Sequence, residues 1–169
     1  MNFNDIAKKR FSARTYLDKE IPQDILNEIL EAAHVAPTAA NLQPVRIFVI
    51  KSEEAKAKLS KGANIYKAPV ALIVCADKSK AWTRPFDSHQ SGDIDASILT
   101  DHMMLSATEK GLGSVWICYF KPDVISEEFN LPENMVPINI LALGYTDEKS
   151  AADRHCQTRI SMEALVSYL

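Results

Sequence analysis

The chain of 169 residues has only three cysteines, Cys75, Cys118 and Cys156, and no CxxC pair. An odd number without that spacing argues against a disulfide scaffold and a structural zinc site, and for a reducing compartment. No apolar run approaches the ~20 residues needed to cross a bilayer. The start, Met1 to Asp5, lacks the apolar core of a signal peptide. Charge of one sign is missing too: 19 basic against 22 acidic residues give a net charge of -3. The densest basic run, Lys8-Lys9-Arg10, is too short for a nucleic-acid stripe. There is no HExxH, no GxSxG elbow and no GxxxxGK phosphate loop, so zincin, hydrolase and nucleoside-triphosphatase chemistries have no support. Internal repeats and low-complexity tracts are absent. The expectation is one cytoplasmic domain over residues 1–169, with neither nucleic acid nor membrane as partner.

What is present is a globular composition, 47% hydrophobic and 24% charged, in a chain long enough to bury roughly 70% of its unfolded surface. Helical and strand-like segments interleave. Phe3 to Arg10 reads as a first helix. A second is opened by Pro22 and ended by Pro37, with Ile25, Leu26, Ile29, Leu30 and Ala33 on one face. Val45 to Ile50 is β-like. Ser52 caps a polar helix that Gly62 closes. Pro69 to Ala76 is a continuous apolar run, as in a strand buried on both faces. Asp93 to Lys110 is a strong helix ended by Gly111. Gly113 to Phe120 and Pro137 to Tyr145 are further buried strands, separated by a short helix from Pro122. A last short helix begins at Ser161. This alternation predicts a sheet sandwiched between helical layers.

Three constellations are candidates for chemistry. Arg10, Ser12 and Arg14 alternate along an extended segment. Two guanidiniums and a hydroxyl on one side suit a phosphate, although a solvated basic turn has the same spacing. Pro37, Thr38, Ala39, Asn41 and Gln43 combine small residues with donors and acceptors, which suits a planar ligand; a helix stop before a strand explains the same prolines. Gly111-Leu112-Gly113 follows a helix and opens a strand, the reverse of a dinucleotide fingerprint, so it reads as a structural cap. His102 reads as a hydrogen-bonded structural histidine, and Cys118, in a strand, as an inert core thiol. The polar stretch Lys78 to Gly92 is a long loop. Its Trp82 and Phe86 fit equally a lid over an aromatic ligand or loop anchors.

Taken in order, RFSARTY at Arg10 to Tyr16, HVAPTAANLQP at His34 to Pro44, KAPVALIVCAD at Lys67 to Asp77, GLGSVWI at Gly111 to Ile117 and LALGY at Leu141 to Tyr145 resemble the FMN-dependent nitroreductase family. The resemblance implies an α+β three-layer sandwich, its mainly antiparallel sheet between helices, assembled as a homodimer with FMN at the subunit interface. It implies transfer of hydride from NADH or NADPH to nitroaromatic, quinone or similar small-molecule acceptors by a ping-pong cycle. The non-enzymatic alternative is a flavin-binding or redox-sensing module.

By matching positions, Arg10, Ser12 and Arg14 would bind the phosphate and ribityl chain, and Arg159 would close on the phosphate. Pro37, Thr38, Ala39 and Asn41 would line the isoalloxazine from the other subunit, with Gln43 at its polar edge. Trp116 and Ile117 would back the ring. The backbone N–H groups of Cys118 and Tyr119 would face N5 and O4, and Asn64 the pyrimidine edge. Trp82 and Phe86 would border the substrate side. The flavin carries the hard chemistry, so no acid–base pair and no metal are required. The chain departs from the pattern at Phe11, Cys118-Tyr119, Thr146 and Gln157, positions where arginine, glycines, proline and lysine are common in the family.

Overall fold

Val70–Asp77 (β2) is buried at every position, so it needs cover on both faces. The computed structural model describes residues 2–151 and 153–169 and supplies that cover with helices. The other strands are Val45–Ile50 (β1), Gly113–Ile117 (β3) and Met135–Gly144 (β4), and the sheet order is β1-β2-β4-β3 with every neighbour antiparallel. Side chains alternate along β2. Val70, Leu72 and Val74 point to one core, and Ala71, Ile73 and Cys75 to the other.

The first core is closed by Gln23–His34 (α2) and Gly92–Glu109 (α4), through Leu26, Ile29 and Ala33 and through Ala96, Leu99, Met103 and Ala107. The second is closed by Glu53–Ser60 (α3) and Pro122–Glu128 (α5), chiefly through Leu59 and Ile125. The α+β three-layer reading is therefore the observed one. No helix among the described residues is long and apolar enough to cross a membrane.

Local signals explain the ends of elements. Ser52 Oγ accepts from the Ala55 amide at 3.2 Å, as an N-cap should. Helix α4 ends in a Schellman turn: Leu112 N–H bonds Ala107 O and Gly111 N–H bonds Thr108 O. Gly111 has φ +78°, a conformation that glycine adopts without strain.

Gly62, expected to close α3, follows its end without a positive φ. It is a close-packing position, where a Cβ would lie 2.8 Å from Ile125 Cδ1. Strand β3 stops at Ile117, three residues early, and Phe120 instead makes an isolated bridge with Ala63. Cys118 is consequently exposed rather than part of the core. Trp82 is half-buried, whereas Phe86 is 94% exposed. A helix over Arg154–Thr158 (α6), unanticipated in the sequence, precedes Met162–Leu165 (α7).

Candidate active site

The N-terminal helix, Phe3–Lys9 (α1), delivers Arg10 to the outer edge of β3. Residues 11–13 then run beside that strand: Ser12 bridges Ser114 in parallel register and the Ala13 amide donates to Ser114 O at 2.9 Å. Gly113 makes this approach possible, since a Cβ there would lie 2.8 Å from Ala13 Cβ and 2.6 Å from Thr146 Cγ2. Beyond Ala13, Glu148 fixes the segment by accepting from the Arg14 amide (3.1 Å) and from the Thr15 hydroxyl. The Thr15 bond is the main reason that the Glu148 carboxyl is held below its ordinary value.

The tail returns to the same place. Arg154 donates to the Arg10 carbonyl, and the charges of Arg154 and Arg159 both reach the Arg10 guanidinium. Burial, followed by these two like charges, holds Arg10 below the usual guanidinium value, and Asp101 on α4 opposes them. Three cations thus converge, with Asp101 facing them. Among the described residues no group of His, Cys, Asp and Glu is arranged to hold a metal ion.

Arg14 takes a separate position. Its guanidinium lies 6.0 Å from the centre of the Tyr66 ring and donates to Ser12 O at 3.3 Å. Asn64 Oδ1 accepts from the Tyr66 amide at 2.9 Å, supporting a turn in which Tyr66 and Lys67 have φ of 56° and 57°. That turn adjoins the exit of β3 through the Ala63–Phe120 bridge and the Lys121 amide's bond to Gly62 O at 2.8 Å.

Trp116 borders a cleft of about 560 Å³ shared with Ile94, Ile98, Asp101 and His102 of α4. The Trp116 indole nitrogen and the Ser114 hydroxyl are shut from solvent without a hydrogen-bond partner among the described residues. His102 Nδ1 lies 2.9 Å from Ile98 O, the structural contact expected of it.

The Pro37–Gln43 segment is elsewhere. It leads into β1, and β1 and β3 are opposite edges of the sheet. One chain therefore brings together Arg10, Ser12, Arg14, Asn64, Trp116 to Tyr119 and Arg159, but not Pro37, Thr38, Ala39, Asn41 and Gln43. The loop is also strained: Ala40, Asn41 and Gln43 have φ of 50°, 54° and 51°, a left-handed backbone that costs about 1–2 kcal/mol at Ala40 and at Gln43 and less at Asn41. The 78–91 loop with Trp82 and Phe86 lies on this second side, joined to it where the Asp77 amide donates to Pro44 O at 2.7 Å.

The model of the nitroreductase family matches residues 7–64 and 55–145. The chain belongs to the nitroreductase family. A crystal structure of a family protein from Clostridium difficile 630 is 54% identical, with a TM-score of 0.97 over 99% of this chain and 98% of that one. A structure titled FMN-dependent nitroreductase, also from Clostridium difficile, is 29% identical, with a TM-score of 0.80 over 96% of each chain. An NAD(P)H FMN reductase of Bacillus subtilis is 29% identical over 185 residues, covering 94% of this chain and 74% of that protein.

Within this nitroreductase-family chain, Arg154 and Glu148 join the Arg10–Thr15 segment, although neither was among the candidate site residues of the sequence. Arg154 carried a signal, being the second arginine of a tail that already supplied Arg159. Glu148 carried none, because an exposed-looking acidic residue after a strand has no pattern of its own.

Proposed function

We propose that this protein is an FMN-dependent oxidoreductase that passes hydride from NAD(P)H to a nitroaromatic, quinone or similar small acceptor. The observation that carries the reading is the convergence of Arg10, Arg154 and Arg159, which Asp101 opposes in part. Such a cluster is costly without an anion and is suited to a phosphate dianion. The donor set fits FMN along its length. The arginines and Ser12 suit the phosphate, and Arg14 and Asn64 the ribityl chain and pyrimidine edge. The neutral wall of Trp116 and Ile117 suits the ring. Among the described residues the amides of Cys118 and Tyr119 make no backbone hydrogen bond, which leaves two donors for N5 and O4.

Bound FMN supplies the hydride-carrying step, with NAD(P)H as donor and the acceptor reduced in alternating turns. This chain's residues bind and orient the reactants: fixed donors and cations stabilise negative charge that develops near them. The Trp82 and Phe86 loop borders the acceptor's side.

The working unit in this proposal is a homodimer, because the Pro37–Gln43 segment stands across the sheet from its own chain's arginines. The tail supports it as well. Ile160, Met162, Leu165 and Tyr168 are each at least 65% exposed, an apolar strip that a second copy would cover. In this proposal residues 1–169 form a single FMN-binding domain, and its compartment is the cytoplasm.

Three measurements test the proposal. Heat-released cofactor from reconstituted protein should run as FMN on chromatography, and sedimentation should give a dimer. NAD(P)H oxidation should accelerate on addition of a nitroaromatic or quinone. Absence of FMN refutes the cofactor, an active flavin-loaded monomer refutes the dimer, and bound FMN without turnover marks a binding or sensing module.

A further inference from the structure

Asp95 lies in the first turn of α4 and is only 1% exposed. A carboxylate so deeply placed needs strong partners, and Asp95 has two. Its Oδ1 accepts from the Ala39 amide at 2.8 Å, and its Oδ2 accepts from Ser91 Oγ at 2.8 Å. Ala39 immediately precedes Ala40 and Asn41, two of the left-handed residues. Within the same loop Gln43 N–H donates to Thr38 Oγ1 at 3.1 Å. Ser91 in turn donates its amide to Trp82 O at 2.9 Å. One buried carboxylate thus stands between the loop expected to line the flavin and the loop expected to meet the acceptor.

We infer that Asp95 is a positioning residue: it holds the Thr38–Gln43 loop in its strained conformation and ties that loop to the Trp82 loop. Strained, exposed backbone persists only where neighbours over-determine it. Side-chain packing does little of this here, since residues 40–43 are all exposed. The Ala39 bond is the loop's anchor to the buried body of the protein. A loop that is competent only part of the time weakens FMN binding in proportion to the lost population. Asp95 therefore acts on FMN through Ala39, without touching it.

This inference rests on the FMN reading, and the experiment separates the two. The variants are Asp95→Ala, which removes both bonds, and Asp95→Ser, which keeps a polar atom for Ser91 but is too short for Ala39. Two more test rescue: Asp95→Asn retains an oxygen for Ala39, and Asp95→Ala with Ala40→Gly removes the strain at residue 40. The readouts are thermal unfolding, amide exchange at Ala39 and Gln43 in the FMN-free protein, FMN Kd by fluorescence quenching, and the visible spectrum of the bound flavin.

In folded Asp95→Ala and Asp95→Ser proteins, exchange at both amides should accelerate. If the competent loop falls to about a tenth of the population, FMN Kd rises roughly tenfold, and the flavin band should shift. Asp95→Asn should stay near the wild type, and Ala40→Gly should recover part of the lost affinity. Wild-type Kd and spectrum in folded Asp95→Ser protein overturn the inference, whether or not Asp95→Ala folds. Loosened amides with unchanged FMN binding overturn it equally. A wild-type protein that binds no FMN, with exchange still governed by Asp95, instead overturns the FMN reading.

Discussion

At the β3 edge the chain's own N-terminal segment is fixed by backbone contacts. Ser12, Ala13 and Arg14 are each tied to Ser114 or Glu148, and Arg10 is pinned by a tail arginine. At the β1 edge the loops project outward. The Pro37–Gln43 loop is held from beneath by Asp95, and the 78–91 loop closes on itself through the Thr83–Gln90 bridge and an exposed Arg84–Asp87 pair at 2.6 Å. The first side is held by several backbone contacts, as a ligand bound in one pose would require. The second combines a strained short loop with a long one whose aromatic tip, Phe86, touches little. In the proposed reading the first side grips the cofactor's phosphate end, while the second offers one loop to the partner's flavin ring and another to passing substrates, which makes different demands on backbone freedom.

The sharpest way to break the contrast is Gly113→Val. A side chain there collides with Ala13 and Thr146 and pushes the Arg10–Arg14 segment off β3. The expected result is a stability loss of about 1–3 kcal/mol from overpacking, with FMN binding abolished. Chemical denaturation and FMN titration check both; retained FMN affinity would show that the strand contact does not position the arginines.

Arg14→Ala acts on the same side without disturbing packing. A charge-assisted hydrogen bond is worth ~1.5–3 kcal/mol, so FMN affinity should fall by roughly 10- to 150-fold. Arg14→Lys should recover part, because the ammonium keeps the charge but loses the fork. A folded Arg14→Ala protein with wild-type affinity by fluorescence quenching would remove Arg14 from the site. Trp82→Ala belongs to the other side and should raise acceptor KM by a larger factor than it raises FMN Kd. Equal factors in steady-state kinetics and titration would remove Trp82 from the acceptor's side.

The smallest effect concerns pH. Asp77 opens the 78–91 loop, and hydrogen bonds from Ser79 Oγ (2.5 Å) and Asn134 (2.7 Å) bring its carboxyl down to about 2. Its folded value is below the unfolded value of about 3.9, so its contribution is complete above that pH and is lost as pH falls through about 2. Protection of the loop amides, measured against their intrinsic exchange at each pH, should therefore begin to fall only below about pH 4. Asp77→Asn should flatten that acid response, and an unchanged profile would assign it to other carboxylates.

Much of this was legible in the residues, and the misses have physical causes. Strand β1 was found at its observed bounds because branched residues fill it between two breakers. The two cores followed from continuous apolar runs. Cys118 was misplaced because GSVWICYF looks uniformly buried, whereas pairing with β4 ends at Ile140 opposite Ile117. Helix α6 escaped because none of its side chains is buried, so no apolar periodicity announces it. Asp95 escaped because its bond to Ala39 spans 56 positions and has no local signature. The arginines were legible as a class, but only the fold separates Arg10, with the tail, from Arg14, beside Tyr66.

The short bridge between Ser12 and Ser114 has a consequence of a different kind. Strand β3 is the last in its sheet, and an outermost strand offers unpaired N–H and C=O groups on which other chains can assemble. Residues 11–13 block the start of that row with backbone from the same molecule, in parallel register, too briefly to become a strand that would itself need covering. A chain cut after residue 14 would bare the row from Ser114 onward, next to the 97% exposed Tyr119. Such a fragment should collect into β-rich aggregates while keeping most of its buried core.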